Sequence, residues 1–135
     1  MNKFYMATSH GTYAESTIKT LEMITGDSMP YVSLLSDMSK VSLKEQYLTL
    51  LEPNADKEII IFVDVLCGTP FNCLMEIKLE YPHYNITLVT GLSLILIVEV
   101  LDSDRVNNEV LSNVFENTKI IREIEFDSQI GEEED

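Results

Sequence analysis

The chain has 135 residues, 45% of them hydrophobic, and a formal net charge of −14, which suits one domain with a sizeable core. That acidic balance disfavours nucleic acid and anionic membrane as partners, and the longest apolar run, Leu92 to Val98, is too short to span a bilayer. No charged stretch followed by an apolar block opens the sequence, and Cys67 and Cys73 fit neither a metal-ligand spacing nor a disulfide framework, so a cytoplasmic protein is expected.

The first predicted strand, Lys3 to Ala7, runs into the polar turn Thr8-Ser9-His10-Gly11. There Thr12-Tyr13-Ala14-Glu15 reads as a capping box, and the helical spacing of Ala14, Ile18, Leu21 and Ile24 carries a helix to a left-handed cap at Gly26. Pro30 opens a second strand, Tyr31 to Leu35. Ser42-Leu43-Lys44-Glu45 repeats the capping signature before a helix with Leu43, Tyr47 and Leu50/Leu51 on one face, stopped by Pro53-Asn54.

The run Ile59-Ile60-Ile61-Phe62-Val63-Asp64 shows no alternation, as expected of a strand buried on both faces at the centre of a parallel sheet. After it, Cys67-Gly68-Thr69-Pro70 reads as a tight turn in which Thr69 caps a third helix and Pro70 occupies its first position. A fourth strand spans Tyr84 to Val89, Gly91 turns, Leu92 to Leu101 forms an apolar helix, and Val106, Val110 and Val114 stripe a fifth. The segment Ile120 to Phe126 alternates from Arg122 onward, as an edge strand does. Residues 1–126 are thus expected to form one domain, and 127–135, with five acids (Asp127, Glu132, Glu133, Glu134, Asp135), a flexible tail that leaves −9 on the body.

Strands separated by helical segments make an α/β protein with a doubly wound, mainly parallel sheet and helices on both faces. In the order 2-1-3-4, strands one and three are neighbours and the winding reverses between them, so their carboxyl ends flank a ligand crevice. His10, Asp64 and Gly68-Thr69-Pro70 all fall there. A neutral imidazole attacks phosphorus when a carboxylate holds one ring nitrogen protonated, and a glycine-containing helix start with a threonine hydroxyl cradles phosphoryl oxygens without a metal. Singly, each piece has a plainer reading: His10 as a turn residue, Asp64 as a turn cap, Gly68-Thr69-Pro70 as a helix start. His83 precedes strand four, at the opposite end of the sheet from His10, where the two cannot share a zinc. Cys73 reads as a core residue and Cys67 as a small residue beside the cradle.

At these residues the chain resembles the enzyme IIA components of the mannose/fructose/sorbose family of the bacterial phosphoenolpyruvate-dependent sugar phosphotransferase system. The likeness rests on Thr8-Ser9-His10-Gly11, Val63-Asp64, Gly68-Thr69-Pro70-Phe71-Asn72, His83-Tyr84, Gly91 and Val98-Glu99. It implies a phosphotransferase in which His10 takes a phosphoryl group from the carrier HPr and passes it to a cognate enzyme IIB, with Asp64 orienting the ring. Ser9, Gly68 and Thr69 would touch the phosphoryl group, and neither metal nor cofactor would be needed. It further implies a homodimer in which Ile120 to Phe126 crosses to the partner's sheet in antiparallel sense. Cys67-Gly68 stands where the family often has Gly-Gly, and Ser93-Leu94-Ile95 where it commonly has Asn-x-Pro. Two other readings are open: the phosphocarrier subunit of a dihydroxyacetone kinase, and a non-catalytic IIA-like regulatory binding module.

Overall fold

The computed structural model of the chain describes residues 2–122. Its frame is a four-stranded parallel sheet in the order β2-β1-β3-β4, built from β1 (Lys3–His10), β2 (Tyr31–Leu34), β3 (Glu58–Val63) and β4 (Asn85–Thr90). Parallel neighbours need crossover connections. These are α1 (Tyr13–Thr25), α2 (Lys40–Leu51) with the 3-10 turn Glu52–Asn54, and α3 (Thr69–Glu80), followed after β4 by α4 (Leu94–Ser103) and α5 (Asn108–Glu116).

Side-chain alternation along the strands divides the core in two. Met6, Ile59, Ile61 and Val63 pack on one face against Leu43 and Tyr47 of α2 and Leu74 and Ile77 of α3. Ala7, Ile60 and Phe62 pack on the other against Ile18 and Leu21 of α1 and Leu96 and Ile97 of α4. With both faces covered, Ile59 to Val63 are at most 1% exposed, which is why β3 reads as an unbroken apolar run.

Several boundaries differ from the sequence reading. β1 continues through Thr8, Ser9 and His10, pairing Thr8 with both Val32 and Val63, because the two hydroxyls that suggested a turn are satisfied internally. Thr8 donates to the Val32 carbonyl at 2.9 Å, and the Ser9 hydroxyl accepts from the Ala14 amide at 2.7 Å. The Thr12 capping box does not form: Thr12 makes no side-chain cap bond, Glu15 pairs with Lys19, and Ser9 serves the first turn instead. Ile24 is 62% exposed rather than on the buried face. The second capping box is displaced by one turn, since Ser39 caps α2 by accepting from Ser42 and the helix starts at Lys40.

Gly68 rather than Thr69 is the cap of α3, which makes Pro70 the second helical residue, still where its missing N–H has no intrahelical role. β2 stops one residue earlier than expected, β4 lies one residue later, and α4 begins at Leu94 after the Ser93 cap. The expected edge strand Ile120 to Phe126 falls largely outside the described residues, and Ile120 to Arg122, the part inside, is irregular. The acidic tail 127–135 lies wholly outside them.

Candidate functional site

His10 is the last residue of β1, and strand periodicity fixes where it points. Met6 and Thr8 face α2 and α3, so His10 faces them too, whereas Ser9 faces α1 and caps it. Asp64 follows β3 directly, one residue beyond the Thr8–Val63 pair. Strand pairing thus brings together two residues 54 positions apart in sequence.

The junction is double. Asp64 Oδ2 accepts from the main-chain N–H of His10 at 2.9 Å and lies 2.7 Å from His10 Nδ1. A carboxylate only accepts, so Nδ1 carries the ring proton and Nε2 keeps its lone pair. The His10 side chain is 49% exposed and that of Asp64 11%, which leaves a reachable ring on a sheltered anion. Asp64 Oδ1 is buried and has no hydrogen-bond partner among the described residues. Among those residues the hydrogen-bond partners of Asp64 are therefore the main-chain N–H and the imidazole of His10 alone, and the sheltered carboxylate stabilises a cation developing on that ring.

The other side of the ring meets the start of α3. A Cβ on Gly68 would lie 2.9 Å from His10 Cε1 and 2.8 Å from Val65 Cγ2, so only glycine lets the main chain approach the imidazole this closely. No side chain caps α3, and the amides of its first turn have no intrahelical acceptors. That end carries the positive pole of the helix and donors for an anion, with the exposed Thr69 hydroxyl alongside. Cys67, also exposed, takes a left-handed conformation with φ 65°, and its carbonyl accepts from the Asn72 side chain at 3.2 Å.

His10 and Thr69 open onto a cleft of about 900 Å³ whose opposite wall is the β2–α2 connection, including Leu35 and Asp37, with Lys40 at the start of α2. Val65, Leu66, Leu35 and Tyr13 are exposed apolar side chains on the neighbouring loops and helix start. The loop after β4 is tied in by the Leu92 amide, which donates to the Val63 carbonyl, and by the Tyr13 hydroxyl, which donates to the Leu92 carbonyl. Ser93 caps α4 through Leu96.

Of the residues singled out from sequence, His10, Asp64, Gly68 and Thr69 come together, while Ser9 is fully buried beneath the turn. His83 is at the amino ends of the strands, its ring against Tyr81 and Tyr84. Two features escaped the sequence reading. Tyr47, a fully buried residue of α2, sits 2.6 Å from the Thr8 hydroxyl; since the hydrogen of Thr8 goes to Val32, Tyr47 donates, and burial pushes its phenol well above its usual range. Lys40 is the one cation lining the cleft among the described residues. The spacing along α2 marks Tyr47 as a face residue but neither its bond to Thr8 nor the place of Lys40 in the cleft, because both arise only when α2 packs on the sheet.

Among the described residues no group of three or more His, Cys, Asp or Glu is placed to hold a metal ion, and no helix is long and apolar enough to cross a membrane. A model of the EIIA-man family, described as the PTS system fructose IIA component, matches residues 5–119. The mannose-specific EIIAB component of the PTS system from Escherichia coli (strain K12) is 28% identical over 96 residues, which are 69% of this chain and 29% of that protein. The chain thus spans less than a third of that relative's length. The sorbose-specific EIIA component of Klebsiella pneumoniae is 26% identical over 96 residues, 70% of either chain. The fold is that of the mannose/sorbose-specific IIA subunit of the phosphotransferase system from Enterococcus faecalis, with a TM-score of 0.77 at 23% identity over 93% of this chain and 99% of that one. With the family match running through β1 to the end of α5, the chain belongs to the EIIA-man family of phosphotransferase-system IIA components.

Proposed function

We propose that the protein is a phosphohistidine carrier in which His10 takes a phosphoryl group from HPr and passes it to a cognate enzyme IIB. The observation that carries this reading is the double contact of Asp64 Oδ2 with His10, which leaves Nε2 as the nucleophilic atom of a half-exposed ring beside an uncapped helix start. Nε2 attacks phosphorus as the P–N bond of the donor's phosphohistidine breaks, and that electron pair returns to the donor's imidazole. The proton on Nδ1 stays in place, shared with Asp64, whose carboxylate balances the charge gained by the ring. Discharge to enzyme IIB reverses these movements.

In this reading the amides of the α3 start and the Thr69 hydroxyl hold the equatorial oxygens in transit. Gly68 makes the close approach, and Ser9 acts from beneath by fixing the turn through Ala14. The apolar rim of Val65, Leu66, Leu35 and Tyr13 suits docking of a protein donor and acceptor. The homodimer that the family resemblance implies is supported by the exposure of Phe115, Ile120 and Ile121, at 77%, 80% and 60%, and by β4 being an outer strand of the described sheet. Incubation with phosphoenolpyruvate, enzyme I and HPr is expected to add one acid-labile phosphoryl group to the protein and none to His10→Ala. No mass gain under conditions that phosphorylate an established IIA component would overturn the reading.

A further inference from the structure

A phosphoryl group on His10, with the ring proton retained, would add one net negative charge to a chain that already carries −14 and set a doubly charged group beside the carboxylate that holds the ring. The donors at the α3 start are neutral amides and a hydroxyl, so the full positive charge needed for balance must come from elsewhere. Lys40 opens α2 on the far wall of the same cleft as His10 and Thr69. Its Nζ donates to Glu76 Oε1 at 2.9 Å, and the two side chains are 54% and 48% exposed.

Exposed pairs of this kind bind weakly, and the lysine stem is long and flexible. One turn along α2, Lys44 pairs with Glu80, so the two helices remain linked when Lys40 lets go. The Glu76 hydrogen bond raises the Lys40 pKa, so the ammonium is charged while it waits. Asp37, on the same wall, is the acid nearest in sequence that shares the cleft with it.

We propose that Lys40 is a phosphoryl-binding residue of this cleft, resting on Glu76 and exchanging that carboxylate for the phosphoryl oxygens when His10 is loaded. The proposal rests on the phosphohistidine reading. The two possible roles of Lys40 then separate cleanly. A lysine that only ties α2 to α3 is lost equally by removing either end of the pair, whereas a lysine that serves the phosphoryl group is lost with Lys40 and freed by removing Glu76.

The test compares Lys40→Met, Lys40→Arg and Glu76→Gln with the wild type in phosphorylation by HPr and in the ³¹P titration of the loaded protein. Lys40→Met is expected to slow phosphorylation about tenfold, the effect of one charge-assisted hydrogen bond, and to move the phosphoryl titration to higher pH. Lys40→Arg should restore the titration, and Glu76→Gln should react at or above the wild-type rate. Equal slowing by Lys40→Met and Glu76→Gln, or a ³¹P titration unmoved in Lys40→Met, would overturn the role of Lys40 while the loaded wild type keeps the carrier reading intact. A wild type that never loads removes both.

Discussion

Gly68 packs against the imidazole of His10 so closely that a methyl group there would fall 2.9 Å from Cε1. The glycine is not required by its backbone, which has an ordinary extended φ of −79°; it is required by the ring. Val65, the other neighbour, is half exposed and can move aside, but the imidazole can do so only by leaving Asp64. Gly68→Ala should therefore keep its fold and lose transfer, on the order of 10²-fold, as expected for an ångström-scale misplacement of a nucleophile. Quenched-flow phosphorylation alongside thermal unfolding checks both halves.

Asp64→Asn retains an amide oxygen that can take the place of Oδ2 and accept the main-chain N–H of His10, so the fold should persist. What disappears is the charge that favours a positive ring. A charge-assisted hydrogen bond contributes about 1.5–3 kcal/mol, so phosphorylation should slow roughly 10- to 100-fold. Kinetics equal to those of the wild type would show that the carboxylate has no part in transfer.

Two substitutions separate the capping found from the capping that the sequence suggested. Ser9→Ala removes the buried acceptor of the Ala14 amide and should destabilise the protein by about 1–2 kcal/mol. Thr12→Ala, at the nominal cap that makes no side-chain bond, should fall within about 0.5 kcal/mol of the wild type. Urea denaturation of both variants provides the comparison.

Beneath the site, Thr8 of β1 links the sheet to α2: its hydroxyl donates to Val32 of β2 and accepts from Tyr47 of α2. Thr8→Val keeps the shape but leaves the buried Tyr47 hydroxyl without its acceptor, a loss of about 1–3 kcal/mol, and Thr8→Ser should recover most of it. The difference between the two variants in urea midpoint reads the hydroxyl rather than the methyl group.

The sheet order and the meeting of His10, Asp64 and the Gly68-Thr69 turn were legible because they depend on strong local patterns. The unbroken Ile59–Val63 run marks a central strand, and topology then dictates which strand ends adjoin. The end of β1 was not legible. Thr8 and Ser9 are polar, and only tertiary partners such as the Val32 carbonyl and the Ala14 amide make them strand residues. Both capping boxes had a suitable residue pattern, yet the competing serines, Ser9 and Ser39, lay where the incoming chain could reach the helix start. Lys40 is silent in sequence because its cleft is assembled from β1, the β2–α2 connection and the start of α3.

The geometry singles out one atom of one ring. With Nδ1 held by Asp64, the carrier reading requires the phosphoryl group to sit on Nε2 of His10, and long-range ¹H–¹⁵N correlation spectra of protein incubated with phosphoenolpyruvate, enzyme I and HPr test which nitrogen is substituted. Phosphoryl coupling to Nε2, with Nδ1 still protonated, is the expected result. A phosphoryl group on Nδ1, or a loaded protein with an unsubstituted His10, would contradict it.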